Sequence, residues 1–396
     1  MTKITLLIFG LIFTWIANAQ LIKRQVRPND TDSTIQTFTA DSHYVYLNKT
    51  VPSKGILVVH LPGTFGEPKR SSLFGETAAD LGFHSIGLMY PNIPTVGSFC
   101  TNNPNLSCFE LVRREIIEGK DYSSDINISP SECIINRLSK LLMYLHLKFP
   151  DEGWSQFLDE ENNPVYERII FSGHSQGGGH AALIAKHYAI KRALCFSSPK
   201  DWSNITNSPA PWTYADGWKT APEFIYCFNH VLDEHEKQLQ IWDSLSLNLF
   251  GPPVSVEQYT FPYQKTRQLT SSFNVPVGDE HASTIQDNKT PKQNDMPLFK
   301  PVWSYMLTYE LLAGTNHIIK TPIYISPNPA YNIISLPNTS TPKAIAIYNH
   351  NGNTVLDNNS WSNNQKSLDV SNLTPGIYYL QLTFEDGVSM VKFIKQ

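Results

Sequence analysis

The sequence predicts an α/β fold, a mostly parallel sheet with helices on both faces, followed by a small all-β sandwich. Three observations carry this. Between residues 45 and 315, short β-branched runs alternate with longer helical patterns. Several of the short runs are apolar almost throughout, as strands covered on both faces must be. After about residue 315 helical periodicity stops, and residues 321–396 hold eleven Asn but only eight charged residues, four of each sign.

Residues 44–47, 56–60, 85–89, 168–173, 193–197, 224–228 and 267–271 read as strands, rich in β-branched and aromatic residues. Residues 71–81, 130–149, 178–190, 234–247 and 302–313 read as helices. In the second of these, Ile134, Leu138, Leu141, Leu142 and Leu145 recur at helical spacing. Strand–helix alternation implies parallel neighbours with helical crossovers. In the last segment, runs 344–348, 377–383 and 388–394 are separated by Asn-Gly, Pro-Gly and Asp-Gly turns, which predicts an antiparallel sandwich of about 75 residues.

The chain of 396 residues carries 31 basic and 35 acidic residues, net charge -4. No basic excess points to nucleic acid or to an anionic membrane. A hydrophobic share of 41% supports a core, and 17% charged residues is too low for a disordered chain. Five cysteines are too few for a disulfide framework, and none sits at zinc-finger spacing. No H-E-x-x-H or comparable cluster occurs, so neither a metal nor a cofactor is expected.

Lys3, the uncharged run 4–16 and Ala17-Asn18-Ala19 read as a signal peptide over 1–19 that leaves Gln20 as the new N-terminus. The run is short of the roughly 20 residues that span a bilayer, and no transmembrane segment is expected in the mature chain. In the oxidising compartment beyond, Cys100 and Cys108 are expected to form a disulfide worth about 2–3 kcal/mol in the loop-entropy picture. Cys133, Cys195 and Cys227 fall in a helix and two strands and read as buried thiols.

The strongest chemical signal is Gly173-His174-Ser175-Gln176-Gly177, preceded by the apolar run 168–172 and followed by an Ala-rich helix. A serine on so sharp a strand-to-helix turn is strained and lifted above the sheet, with the free N–H groups of a helix start behind it. On this motif and its flanks, residues 40–315 resemble the α/β-hydrolase superfamily in its serine esterase and lipase-like part. The resemblance implies a triad in chain order serine, acid, histidine, with an oxyanion hole shared between two loops.

Carried over residue by residue, the nucleophile is Ser175. The acid is Asp233, five residues past the run 223–228, with Glu234 and Asp201 as rivals. The base is His281, the one histidine in the loop after 267–271, with His230 and His317 as weaker choices. Gln176 supplies one oxyanion N–H, and the loop Leu61-Pro62-Gly63-Thr64-Phe65-Gly66 supplies the other, from Thr64 first or Phe65 second, since Pro62 has no N–H. His60 stands where the family has the histidine of its His-Gly loop, with Leu61-Pro62 replacing the usual glycine. The stretch 202–218, with Trp202, Trp212, Tyr214 and Trp218, reads either as an aromatic wall over the pocket or as cover for the fold's own core.

The tail carries Ser326-Pro327-Asn328-Pro329, Ala344-Ile-Ala-Ile-Tyr348, Leu373-Thr-Pro-Gly-Ile-Tyr-Tyr-Leu380 and Met390-Val-Lys-Phe-Ile-Lys395. It resembles the C-terminal sorting domain of type IX secretion, which implies that machinery as a partner and passage to the cell surface or exterior. An Ig-like carbohydrate-binding module is the alternative. The expected organisation is 1–19 signal peptide, 20–315 catalytic domain, and 316–396 linker and sorting domain. The expected function is an exported serine hydrolase that cleaves a small-molecule or polymeric ester through an acyl-enzyme. The alternatives are a serine peptidase or lipase on the same triad, or a non-catalytic surface binding protein on this fold.

Overall fold

Alternation along the strands divides the apolar residues between two layers. In a computed structural model describing residues 21–214, 216–309, 325–336, 342–349, 354–358, 366–384 and 387–396, nine strands form one sheet. They are β1 (Leu21–Val26), β2 (His43–Asn48), β3 (Leu57–Leu61), β4 (His84–Gly87), β5 (Ile169–His174), β6 (Arg192–Phe196), β7 (Ile225–His230), β8 (Val254–Ser255) and β9 (Gln268–Ser271). The order is β1-β2-β4-β3-β5-β6-β7-β9-β8. From β4 to β8 every pairing is parallel, while β1 with β2 and β2 with β4 are antiparallel.

Leu57, Val59, Ile169, Phe171, Ala193, Cys195, Ile225 and Cys227 face one layer. Their neighbours Val58, Ile170, Leu194, Phe196, Tyr226 and Phe228 face the other. The first layer is covered by α2 (Cys108–Glu118), α3 (Ile134–Lys148), α4 (Gln176–His187) and α5 (His235–Ser244). The second is covered by α1 (Ser72–Asp80) and α6 (Lys300–Thr308). Each large apolar side chain so buried contributes about 1.5–3 kcal/mol.

All seven expected strands occur within a residue or two of their expected bounds. Sequence reading missed the edge strands β1 and β8 and the helix α2. β1 reads Leu-Ile-Lys-Arg-Gln-Val, too polar to announce itself, because an edge strand is only partly covered. In α2, two Arg and three Glu among the apolar residues mask the periodicity. Arg113 and Glu115 are nonetheless buried because both are paired.

The disulfide between Cys100 and Cys108 forms, with a Cα–Cα distance of 5.3 Å, and Cys133, Cys195 and Cys227 are buried and free. Beyond residue 324, β10 (Ile333–Ser335) pairs with β13 (Ser367–Asp369). There β11 (Ala344–Asn349), β12 (Thr354–Asn358), β14 (Gly376–Phe384) and β15 (Gly387–Lys395) form an antiparallel sheet in the order β12-β11-β14-β15. The expected signal peptide at 1–19 and His317 lie outside the described residues. Among the described residues no helix is long and apolar enough to cross a membrane.

One carboxyl ties the loop after β9 to the start of α1. Asp287 Oδ1 accepts the Leu73 N–H at 3.1 Å, and the Asp287 N–H donates to Arg70 O at 2.7 Å. Burial, aided by Glu76 and opposed by the Leu73 and Ser72 amides and Lys292, pushes this carboxyl up to about 6. A raised folded pKa means that the folded state holds the proton more tightly, so this group removes stability as pH rises from about 4 through 6. Asp287→Asn keeps an acceptor for Leu73. Relative to the parent, its melting temperature at pH 7 should rise by a few degrees, with the gap closing below pH 4. A parent-like profile across pH 4–7 in thermal scans would reject this.

Candidate active site

Four loops leaving the C-terminal ends of parallel strands meet at one edge of the sheet, where open α/β sheets bind ligands. The first is the turn from β5 into α4. Ser175 has φ 54° and ψ -117°, a region L-residues rarely occupy, held by its N–H bond to Phe196 O at 2.9 Å. Close backbone packing makes this turn possible. A Cβ on Gly177 would stand 2.1 Å from Leu61 O, and one on Gly173 would stand 2.2 Å from the Gly177 carbonyl carbon. Ser175 is half-buried.

The second is the loop after β3. A Cβ on Gly63 would lie 3.1 Å from Ser175 Cβ, which sets this loop against the serine. Asn92 Nδ2 pins it by donating to Gly63 O at 2.9 Å and Gly66 O at 2.8 Å, and the Tyr90 hydroxyl donates to Pro62 O at 2.8 Å. The Gln176 side chain joins the loops: its Oε1 accepts from Thr64 Oγ1 at 3.0 Å and from the Val96 N–H at 2.9 Å. Among the described residues, the backbone N–H groups of Thr64, Phe65 and Gln176 donate to no protein acceptor. Phe65 has φ 56° and is exposed.

The third and fourth loops carry Asp233 and His281. His281 lies on the one-turn helix Glu280–Ser283 after β9, and its Nδ1–H donates to Asp233 Oδ2 at 2.7 Å. Its Nε2 is thereby left with the lone pair. Asp233 follows β7 and is 8% exposed, while the His281 side chain is 35% exposed. His174, the neighbour of Ser175, donates its Nε2–H to the His281 carbonyl at 2.8 Å, with the two rings 4.8 Å apart. Burial holds His174 down at about 3, so it stays neutral and keeps this bond. The structure thus brings His281 and Asp233 together beside the Ser175 turn. Ser175 Oγ itself makes no hydrogen bond to His281.

Lys200, which sequence reading passed over, bridges Asp233 Oδ1 at 2.9 Å and Glu234 Oε2 at 2.6 Å. Burial pulls the ammonium down, but the two carboxylates outweigh it and leave it raised. Burial likewise pushes the Asp233 carboxyl up, yet its bond to His281 and the His281 and Lys200 charges hold it below its ordinary value. A lysine four residues past the end of β6 carries no sequence signal, because what it meets belongs to a loop more than thirty residues away.

The rivals are otherwise engaged. Asp201 is buried and pairs with Arg113 at 2.7 and 2.5 Å and with Trp212 Nε1 at 2.7 Å. The half-exposed Glu234 carboxylate meets Lys200 and Lys237 rather than a histidine. His230 is committed through both nitrogens to Phe273 O and the Leu232 N–H. His60 is a buried strand residue bonded to Ser172 and pushed down to about 3 by burial. Trp202 and Trp212 cover the core, as the second reading of that stretch expected, while Tyr214 is exposed. Among the described residues no group of three or more His, Cys, Asp or Glu is placed to hold a metal ion.

Residues 323–396 match the family model of the secretion system C-terminal sorting domain. That domain directs the chain through type IX secretion to the cell surface or exterior. No curated protein matches the chain.

Proposed function

We propose that this exported protein is a serine hydrolase of the α/β-hydrolase type that cleaves carboxylic esters. The observation that carries the reading is the His281–Asp233 pair fastened, through His174, against a strained serine turn. The strand order supports it, with its antiparallel start and with serine, acid and histidine following β5, β7 and β9 in chain order.

In this reaction Ser175 Oγ attacks the ester carbonyl while His281 Nε2 takes its proton, and Asp233 stabilises the imidazolium. The Ser175–His281 hydrogen bond forms with substrate in place, since such bonds are often slack in the free enzyme. The oxyanion receives the N–H groups of Gln176 and of Thr64 or Phe65. Collapse breaks the C–O bond, and the alcohol leaves with the proton from His281. Water, deprotonated by His281, then releases the acid from the acyl-serine. The test is a fluorophosphonate probe and short p-nitrophenyl esters offered to the chain from residue 20. Labelling mapped to Ser175 with steady turnover is expected. Folded protein that neither labels nor turns over sinks the reading.

Lys200 acts here as a positioning residue. Removing its charge lets the imidazolium feel Asp233 more fully, so Lys200→Met should move the acidic limb of kcat/KM to higher pH by about 0.5–1 unit. Lys200→Arg should restore most of the parent profile. A lower rate with an unmoved limb would assign Lys200 a packing role only.

A further inference from the structure

Gln176 is gripped from both sides of one disulfide-closed unit. Its N–H is one of the proposed oxyanion donors, so the placement of this residue sets where that donor points. Its Oε1 accepts from the Val96 N–H at 2.9 Å, and its carbonyl oxygen accepts from Arg113 Nη1 at 2.9 Å. Val96 opens the one-turn helix Val96–Cys100, and Arg113 sits on α2, which begins at Cys108. The Cys100–Cys108 disulfide joins the end of the first helix to the start of the second, with both cysteines 2% exposed. The same Oε1 accepts from the Thr64 hydroxyl at 3.0 Å, so the second oxyanion loop is tied to this point as well.

Little else fixes the short helix. A helix of five residues has no stability of its own. Its apolar anchors in the core are Val96 and Cys100, with Phe99 packed partly against them. Among the described residues, the hydrogen bonds of 93–107 that leave this segment and α2 go only to Gln176 and to Asn204. The Asn204 bonds lie at the outer end, on Thr101 O and the exposed Asn102. The link from Cys100 to Cys108 along the chain is Thr-Asn-Asn-Pro-Asn-Leu-Ser, a polar, turn-forming stretch with no regular hydrogen bonding to hold its length. The Val96 N–H belongs to the first residue of a helix and has no acceptor within it, so Gln176 Oε1 is its partner.

We propose that the Cys100–Cys108 disulfide is a positioning clamp. It holds the Val96 N–H against Gln176 and so keeps the Gln176 N–H and the Thr64 loop in the geometry that receives the oxyanion. The catalytic half of this inference rests on the hydrolase reading, and the hold on Gln176 does not. A disulfide persists only in an oxidising compartment, so the proposed activity is at full strength only in the exported protein. Full-length mature protein carrying Cys100→Ala and Cys108→Ala tests the clamp, with folding verified by circular dichroism. If that pair does not fold, the parent reduced by a phosphine, with the two thiols confirmed by mass, takes its place.

Hydrogen exchange reads the clamp without substrate. Without the cross-link, the Val96 amide should exchange at least about tenfold faster, while the amides of β5 and β6 keep their parent rates. On p-nitrophenyl acetate, kcat per fluorophosphonate-labelled site should fall about tenfold with KM within about twofold of the parent, a part of the roughly 10²- to 10³-fold that losing a whole oxyanion donor costs. Counting labelled sites takes any loss of folded protein out of the comparison. Val96→Pro keeps the disulfide and deletes the N–H, at a first helical position where proline is tolerated and after Thr95, whose ψ of 139° already suits it. It should lower kcat to the same extent, and the three substitutions together should be no slower than Val96→Pro alone. An unchanged Val96 exchange rate, a kcat per site equal to that of the parent, or losses that multiply in the triple variant would each overturn the clamp. A parent that turns over no ester sinks only the hydrolase reading, and the Val96 exchange rate then decides the clamp.

Discussion

Ser175→Ala should lower kcat on short p-nitrophenyl esters by about 10⁴- to 10⁶-fold, and the melting temperature should stay within about two degrees of the parent. The two halves of this expectation have separate physical grounds. In the proposed reaction the hydroxyl forms the covalent bond, so without it only the oxyanion donors and binding remain to assist attack by water. The same hydroxyl adds little to the fold, because the turn is held by the Ser175 N–H bond to Phe196 O and by the packing of Gly177 on Leu61. Asp233→Asn should lower kcat by about 10⁴-fold, since an amide no longer fixes the tautomer that leaves His281 Nε2 free. Steady-state rates on purified protein, read beside thermal scans, decide both. Turnover by Ser175→Ala equal to that of the parent would remove the nucleophile and with it the proposed reaction.

The largest loss of stability is expected at Arg113. Its guanidinium is buried, donates twice to the buried Asp201 carboxylate and donates once more to Gln176 O at 2.9 Å. Arg113→Met leaves Asp201 charged, dry and held only by Trp212 Nε1. Breaking a buried pair in this way costs about 3–5 kcal/mol. For a chain of this size the melting temperature should fall by roughly 6–20 °C, at about 2–4 °C per kcal/mol. Arg113→Met combined with Asp201→Leu removes both charges and should recover about half of the loss, since Gln176 O and Trp212 Nε1 still lose partners. A double variant no more stable than Arg113→Met alone would show that packing of the arginine stem, rather than the ion pair, carries the effect. Because Gln176 starts α4, the single variant should also loosen the Thr64–Gln176 contact and reduce kcat beyond the loss of folded protein.

How far the site could be read in advance follows from how local each signal is. The Ser175 turn is a local event, with a strand, two glycines and a helix in consecutive residues, and it was legible. Asp233 and His281 were nameable only by their places after two strands in chain order. Asp201 satisfied the same description after β6 and is drawn instead into the Arg113 pair. Nothing near Arg113 in the sequence foretells this, since the partners are 88 residues apart. Lys200, Asn92 and the Gln176 amide were missed for the same reason. Each acts through contacts between loops that meet only when the sheet assembles.

The sequence by itself determined the layers, the seven principal strands, the serine turn, the disulfide and the secretion tail. All of these rest on short-range periodicity, turn chemistry or contiguous motifs. Only the tertiary structure decided which carboxylate faces His281 and that Lys200 clamps that carboxylate. The physical reason is that electrostatic pairing and desolvation depend on distances across the sheet edge. Those distances are set by strand order, which no local window of residues contains.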